Sequence, residues 1–126
     1  MLTAMIQDDA QHIYLSEQGL RDGLQSRPEV ISTDEKLSLI QALINTGMTR
    51  IQVCSFVHPR LVPQMADAEA LCARLPRHTD VTYSGLTLNR KGVERALDAG
   101  LECVVISHSA SDTHSRKNTR KSLENA

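Results

Sequence analysis

The stretch STDEKLSLIQALINTG, residues 32 to 47, and the stretch RIQVCSF, residues 50 to 56, decide the fold of this chain. In the first, Ser32 precedes Glu35 by three positions, leucine and isoleucine recur at helical spacing, and Gly47 follows the last of them. A capping box and a glycine stop are typical of the two ends of a helix. The second stretch is rich in apolar and β-branched residues, which predicts a buried strand.

The same alternation continues on both sides of this helix and strand. Further strands are predicted at residues 12 to 16, 81 to 87 and 103 to 110, and further helices at residues 64 to 75, 89 to 100 and 118 to 126. Strands that alternate with helices at a period of about 30 residues are typical of right-handed βαβ units around a parallel sheet. The predicted fold class is α/β.

Four βα units are compatible with two architectures. They can form half of an eight-unit barrel, which normally takes about 250 residues, or a small open sheet with helices on both faces. In both, functional side chains belong in the loops that follow the carboxyl ends of strands. The polar segments GLRDGLQ, residues 19 to 25, and SASDTHSRKN, residues 109 to 118, fall in such loops. Residues 1 to 126 are predicted to form a single domain.

Composition and charge argue against several classes of protein. Fourteen basic and fifteen acidic residues leave a net charge of -1, which disfavours binding to nucleic acid or to an anionic membrane. Cys54, Cys72 and Cys103 are odd in number and form no Cys-x-x-Cys pair, so they are expected to be small buried apolar residues in a reducing compartment. The N-terminus lacks the pattern of a signal peptide, and we expect a cytoplasmic protein.

Arg21 and Asp22 lie side by side between Gly19 and Gly23, directly after the first predicted strand. Glycine and aspartate are common in turns, and exposed ion pairs are frequent and weak, so a surface turn is one interpretation. An active site at the end of a strand is the other. The pair alone does not decide between them.

Four motifs in order along the chain carry a resemblance to a known family. GLRDGLQ, IQVCSFVHPRLVPQMADAEAL, TLNRKGVERALDAG and SASDTHSRKN together resemble the N-terminal half of 3-hydroxy-3-methylglutaryl-CoA lyase and its relatives. That family is the metallolyase branch of TIM barrels and includes the isopropylmalate, homocitrate and citramalate synthases. The resemblance runs from about Ile13 onward, and Leu24 is similar to the lyases rather than to the synthases.

The resemblance implies a reaction and a set of roles. It implies metal-assisted retro-Claisen or aldol-type cleavage of a 3-hydroxy-3-methylglutaryl-type acyl substrate, with Mg²⁺ or Mn²⁺ as the cation and a CoA thioester as a possible carrier. A divalent cation polarises substrate oxygens, and a fixed guanidinium stabilises an enolate. By resemblance, Asp22 is a metal ligand and Arg21 stabilises the enolate. Gln25 either hydrogen-bonds the substrate or orients its neighbours.

The chain departs from the family pattern at two places. Gln52 stands where the lyases usually carry a catalytic glutamate, and an amide cannot act as a general acid or base, although it can hydrogen-bond. The lysine that helps to hold CoA shortly after the DGLQ motif is absent, and Arg27 and Pro28 occupy that stretch. Full lyase activity and the use of CoA are therefore both left open.

Four more residues match or lie near the family's substrate site. Ser55 either lines the pocket or bonds to backbone, while Asn118 and Ser122 match positions at the end of the fourth strand and the start of the next helix. There they either touch substrate or cap that helix. His114 is expected to contact an anionic substrate, because its spacing from His108 does not define a metal site.

The family's remaining metal ligands, a His-x-His pair, and a catalytic cysteine lie in its C-terminal half, which this sequence does not contain. We therefore expect an apparently truncated N-terminal half-barrel with little turnover of its own. Two alternatives stay open. One is a Claisen-condensing acyltransferase of the isopropylmalate or homocitrate synthase type, and the other is a non-catalytic half-barrel that pairs with a second copy or with a complementary C-terminal half.

Overall fold

The computed structural model describes residues 13–78, 80–107, 109–119 and 122. Its elements in chain order are a π-helical turn Gly19–Gly23, helix α1 Thr33–Asn45, strand β1 Arg50–Ser55, a 3-10 turn Pro63–Met65, helix α2 Ala68–Ala73, strand β2 Thr82–Thr87, helix α3 Arg90–Asp98, strand β3 Cys103–Ile106 and helix α4 Asp112–Thr119. Within these described ranges, no helix has the length and apolar character needed to cross a bilayer.

Strands β1, β2 and β3 form one parallel sheet in the order β1-β2-β3. Helix α2 lies between β1 and β2 in the chain, and α3 lies between β2 and β3, so each connection is the helical crossover that parallel strands require. Gln52 pairs with Ser84 and Ser55 pairs with Leu86, with a register shift between Gln52 and Cys54. The α/β class predicted from the alternation is confirmed.

The first predicted strand, residues 12 to 16, is wrong in its extent. Residue 12 lies outside the described part, and no strand is assigned from 13 to 16. Instead, Glu17 forms a single parallel bridge with Ile51 of β1. Ile13 is 92% exposed and Leu15 is 69% exposed, which shows that the apolar side chains of this segment have little to pack against. The segment keeps its place beside β1 without forming a strand.

Helix α1 forms for the reasons visible in its sequence. The Ser32 hydroxyl accepts from the Glu35 amide at 3.3 Å, and the Glu35 carboxylate accepts from the Ser32 amide at 3.0 Å, so the predicted capping box is confirmed. Gly47 ends the helix with a φ of 87°, a conformation that favours glycine. The buried face of the helix includes Ile40, which joins the core beneath the sheet.

Two of the predicted helices differ from the observed ones. The segment from 64 to 75 is divided into the 3-10 turn and the shorter α2, and Lys36 donates both to the Gln64 carbonyl in that turn and to Asp67, which directly precedes α2. The last helix, predicted from residue 118, instead begins at Asp112, where an ion pair of 2.7 Å between Asp112 and Arg116 supports its first turns. Residues 120, 121 and 123 to 126 of the prediction lie outside the described residues.

The helices cover one face of the sheet. A Cβ on Gly85 would meet Phe56 and Leu101 of the core, and a Cβ on Gly92 of α3 would lie 3.3 Å from Cβ of Thr87. Gly85 and Thr87 therefore face the helices. Because successive residues of a strand point to opposite faces, Ser84 and Leu86 face the other side, together with their register partners on β1.

Candidate active site

The turn Gly19–Gly23 follows immediately after the bridge at Glu17 and presents the Arg-Asp pair at the carboxyl ends of the strands. Its backbone is closed by hydrogen bonds of 2.7 and 3.1 Å from Asp22 and Arg21 to the Gln18 carbonyl. Gly19 donates its amide to Oε1 of Glu17, and a Cβ on Gly19 would lie 2.8 Å from the same oxygen. A side chain at position 19 would push the Glu17 carboxylate aside and break this hydrogen bond, while the backbone conformation itself does not demand glycine.

Gly23 is different from Gly19. A Cβ on Gly23 would have nothing within 4 Å, and its φ is not positive. Neither space nor backbone conformation restricts position 23 to glycine.

Arg21 is held by acceptors on three different residues. Its Nε donates to Oε1 of Gln52 at 2.6 Å, its Nη1 to Oδ1 of Asp22 at 2.7 Å, and its Nη2 to Oε1 of Gln18 at 3.1 Å. The Arg21 side chain is only 14% exposed, so Arg21 is not part of a simple surface ion pair, although Asp22 is 74% exposed. Three acceptors fix both the position and the plane of the guanidinium.

Gln18 is a site residue that the sequence analysis missed. It lies three positions before Arg21, a spacing that brings side chains together on one side of a helical turn. The signal could have been found only by predicting that residues 19 to 23 are helical, and the two glycines argue against such a prediction.

Gln52 and Ser55 of β1 form the floor of the site. Both are buried, and both lie on the sheet face that the helices leave uncovered. The Ser55 hydroxyl donates to Oε1 of Gln25 at 3.3 Å, so its described partner is a side chain rather than backbone. Gln25 is half-buried, just after the turn. The structure thus brings together five of the predicted site residues, which are Arg21, Asp22, Gln25, Gln52 and Ser55.

The other three predicted residues lie on or after α4. His114 is in the first turn of α4, and its Nδ1 is 2.9 Å from the Ser109 hydroxyl. Asn118 is in the last turn of the same helix, so its predicted position at the end of a strand is wrong. Ser122 is half-buried, and because residues 120, 121 and 123 to 126 lie outside the described part, its position at a helix start stays a prediction. These positions follow β3, whereas the Arg21 group lies beside β1.

A guanidinium of fixed orientation beside a carboxylate, at the carboxyl ends of parallel strands, is suited to binding a substrate oxygen that gains negative charge. The family model described as HMGL-like matches residues 12 to 126, which is nearly the whole chain. The chain belongs to the HMGL-like family.

Curated relatives and solved structures agree with this assignment. The HMGL-like chain is 41% identical over 110 residues to the hydroxymethylglutaryl-CoA lyase YngG of Bacillus subtilis, covering 87% of this chain and 37% of that one. It is 38% identical over 112 residues to the human mitochondrial hydroxymethylglutaryl-CoA lyase, covering 89% and 34%. The chain thus spans about a third of the length of these curated relatives.

Two solved structures show the fold. The Bacillus subtilis HMG-CoA lyase matches with a TM-score of 0.85 and 40% identity, over 90% of this chain and 38% of that chain. An HMG-CoA lyase from Acinetobacter baumannii, in complex with coenzyme A and 3-methylmalate, matches with a TM-score of 0.83 and 38% identity, over 86% and 36%. The prediction of a partial barrel with parallel strands is confirmed.

The HMGL-like chain contains one candidate metal ligand at this site. Asp22 is 74% exposed, and its Oδ1 accepts from Arg21, while Oδ2 has no protein partner among the residues described. A carboxylate oxygen of this kind fits one position of a divalent cation that prefers oxygen ligands. The described ranges contain no group of three or more His, Cys, Asp and Glu that could complete a metal site.

Proposed function

We propose that this chain supplies the Arg21–Asp22 part of the active site of a carbon-carbon lyase that cleaves a 3-hydroxy-3-methylglutaryl-type acyl substrate. The observation that carries the proposal is the guanidinium of Arg21, held by Gln52, Asp22 and Gln18 at the carboxyl ends of parallel strands. Membership of the HMGL-like family and the lyase names of the relatives support the same reaction.

Arg21 stabilises the negative charge of the enolate that forms when the carbon-carbon bond breaks. A guanidinium has five N–H donors, and three of them are used in the contacts to Gln52, Asp22 and Gln18. The other two N–H donors can bind the developing enolate oxygen. Because the guanidinium is already oriented and mostly buried, little reorganisation accompanies the reaction, which is the condition for strong electrostatic stabilisation.

The Asp22 carboxylate would hold a divalent cation, Mg²⁺ or Mn²⁺. Such a cation supplies Lewis-acid polarisation of substrate oxygens when it is bound. The additional ligands would come from beyond the residues described. The remaining predicted residues form the proposed substrate-binding set, which consists of Gln25, Ser55, His114, Asn118 and Ser122.

Gln52 acts as a positioning residue in this proposal. Its amide cannot exchange a proton at neutral pH, so it cannot serve as the general acid or base that a carboxylate would provide. Its Oε1 instead holds Nε of Arg21. We therefore expect turnover to be low compared with a family member that carries glutamate at this place.

We propose a CoA thioester as the form in which the acyl group is presented, because one of the solved relatives is a complex with coenzyme A. Arg27 stands near the position of the missing lysine, and its side chain forms an exposed ion pair of 3.3 Å with Glu29. An exposed pair of this kind is weak, so a phosphate can replace Glu29 as the partner of Arg27.

The proposal is tested by supplying the complete protein with 3-hydroxy-3-methylglutaryl-CoA and Mg²⁺ or Mn²⁺ and measuring acetoacetate. Arg21→Lys should lower kcat by about 100-fold or more, since lysine offers neither the planar fork nor the fixed donors. Arg74→Lys is the control, because Arg74 pairs with Asp34 on the surface and belongs to no part of the site. Consumption of acetyl-CoA with a 2-oxo acid, without acetoacetate release, would instead identify a Claisen-condensing enzyme.

One observation favours a second candidate, a half-barrel that pairs with another chain. Strand β3 carries Val105 and Ile106, of which Ile106 is 67% exposed, and an exposed apolar strand commonly pairs with further strands. Sedimentation of the protein tests this candidate. A dimer that Ile106→Lys converts to monomer would support pairing through β3, and a monomeric protein would contradict it.

A further inference from the structure

Two buried cysteines lie together outside the candidate active site. Sγ of Cys54 on β1 and Sγ of Cys72 on α2 are 3.9 Å apart. Cys54 pairs in register with Gly85, which faces the helices, so the thiols lie on the opposite side of the sheet from Arg21. Cys103 on β3 is half-buried and is the third free cysteine. The sequence analysis predicted small buried residues, and for Cys54 and Cys72 this is confirmed.

One of the two cysteines lines a cavity. Cys72 borders a cavity of about 440 Å³ near the amino ends of β2 and β3, together with Leu75, Val81 and Leu101. Cys54 is not among the residues that line this cavity, and its Sγ lies behind Cys72 at 3.9 Å from the Cys72 sulfur. A molecule as small as a hydroperoxide fits easily into a cavity of this size.

The surroundings give the two cysteines different roles. The hydrogen bond with Cys72 and the burial of Cys54 both raise the pKa of the Cys54 thiol, so Cys54 stays protonated. Both cysteines are buried, but Cys72 is 6% exposed against 1% for Cys54, and Cys72 is the one that lines the cavity. A small oxidant in the cavity therefore meets Cys72 first.

We propose that Cys54 and Cys72 are a peroxide-sensitive dithiol, with Cys72 as the thiol that is oxidised first and Cys54 as the thiol that resolves it. In the first step the Cys72 sulfur attacks one oxygen of the hydroperoxide, the O–O bond breaks, and Cys72 becomes a sulfenic acid with release of water or an alcohol. In the second step the Cys54 sulfur attacks the Cys72 sulfur, the S–O bond breaks, and hydroxide leaves with the Cys54 proton as water. The two thiols lose two electrons, and the peroxide gains them.

The disulfide would link β1 to α2. Its bond length of about 2.05 Å requires the sulfurs to approach from 3.9 Å, so the proposal requires rotation of the two side chains toward each other. The two cysteines are 18 positions apart in sequence, so the closed loop contains the whole β1-α2 connection. The inference does not depend on the proposed lyase function, and its test needs no turnover.

The experiment exposes the folded protein to hydrogen peroxide, blocks unreacted thiols in denaturant, and measures intact mass and linked peptides. We expect the number of free thiols to fall from three to one, with the mass of two hydrogen atoms lost and the Cys54 and Cys72 peptides joined. In Cys54→Ser, Cys72 should remain as a sulfenic acid that dimedone captures. Cys103→Ser should oxidise like the wild type.

Several results would overturn the proposal. One is that all three thiols stay unreacted under a treatment that completely oxidises a peptide with a free thiol. The others are a disulfide that includes Cys103 and a Cys54–Cys72 disulfide that forms only in denaturant. If Cys54→Ser does not fold, Cys54→Ala serves the same purpose, because it also removes the resolving thiol. Absence of dimedone capture in both variants would contradict the role of Cys72 as the first thiol.

Discussion

Arg21 donates from Nε to the side-chain oxygen of Gln52 across 2.6 Å, and this hydrogen bond joins the Gly19–Gly23 turn to β1. The two residues are 31 positions apart in sequence, and Gln52 is almost completely buried. The turn is therefore attached to the sheet by a side-chain contact as well as by the bridge at Glu17. The identity of residue 52 consequently affects both the orientation of Arg21 and the chemistry of the site.

Gln52→Glu should raise activity in the complete protein. The carboxylate can still accept from Nε of Arg21, and it can also exchange a proton with the substrate, a contribution of about 100-fold or more in enzymes that use it. The measurement is kcat for acetoacetate release. Gln52→Leu is the comparison, since it removes the acceptor and should reduce activity below that of the wild type. Equal rates for the glutamate and leucine variants would show that residue 52 has no chemical role.

Asp22→Asn should weaken binding of Mn²⁺ to the complete protein by about 10-fold or more, because an amide oxygen is a poorer ligand than a carboxylate for a hard cation. Titration calorimetry measures the change. Asp34→Asn is a matched control, because Asp34 is also an exposed aspartate paired with an arginine, at 2.6 Å from Arg74. Unchanged Mn²⁺ affinity in Asp22→Asn would exclude this residue as a ligand.

The sequence predicted the features that depend on neighbours in the chain. The capping box of Ser32 and Glu35 and the glycine stop at Gly47 are local, and both are present in the structure. The prediction of a strand at 12 to 16 was wrong because a strand needs partners on another segment. The β propensity of a segment does not show whether those partners are present. The predicted start of the last helix was wrong, because the residues SASDT are common in loops but also favour a helix start, and the helix begins at Asp112.

Contacts between distant residues were the hardest to predict. The sequence pattern of the amphipathic helix predicts that Lys36 is solvent-exposed. In the structure it is buried and paired with Asp67, 31 positions away. A single sequence carries no signal for this pairing, because each residue taken alone is ordinary on a helix surface. Gln18 was missed for a related reason, since its contact with Arg21 depends on the exact shape of the turn.

Asp67→Asn should destabilise the protein by about 3–5 kcal/mol, because it leaves the Lys36 ammonium buried without a counter-charge. The Gln64 carbonyl, at 2.7 Å from Nζ of Lys36, would remain as a partner but carries no full charge. Equilibrium unfolding in urea measures the loss. Glu94→Gln breaks the exposed pair with Arg90 and should change stability by less than about 0.5 kcal/mol. Similar small effects for both variants would mean that water solvates Lys36 in solution.

Replacing each of the two glycines of the turn by alanine should change the stability of the protein in opposite directions. Gly19→Ala forces the Glu17 carboxylate away and removes its hydrogen bond with the residue 19 amide, which should cost about 1 kcal/mol. Gly23→Ala meets no atom within 4 Å and should stabilise the protein by about 0.4–1 kcal/mol through a less flexible unfolded chain. Thermal unfolding of both variants checks the order. A destabilised Gly23→Ala variant would show that the turn needs flexibility there.

The ion pair between Glu69 of α2 and Arg95 of α3 should make stability depend on pH below about 4.5. The hydrogen bond from Arg95, at 2.6 Å, lowers the pKa of the Glu69 carboxyl from its ordinary value. A group whose pKa is lower when folded stabilises the protein above its unfolded pKa, and that stabilisation disappears as the pH falls through the folded pKa. The wild type should therefore exceed Glu69→Gln in stability at neutral pH, and the difference should shrink in acid. Urea unfolding of both proteins from pH 7 down to about pH 3 measures this, with Glu94→Gln as the control for removing one surface carboxylate. A difference that stays constant across this range would mean that Glu69 contributes through packing and not through its charge.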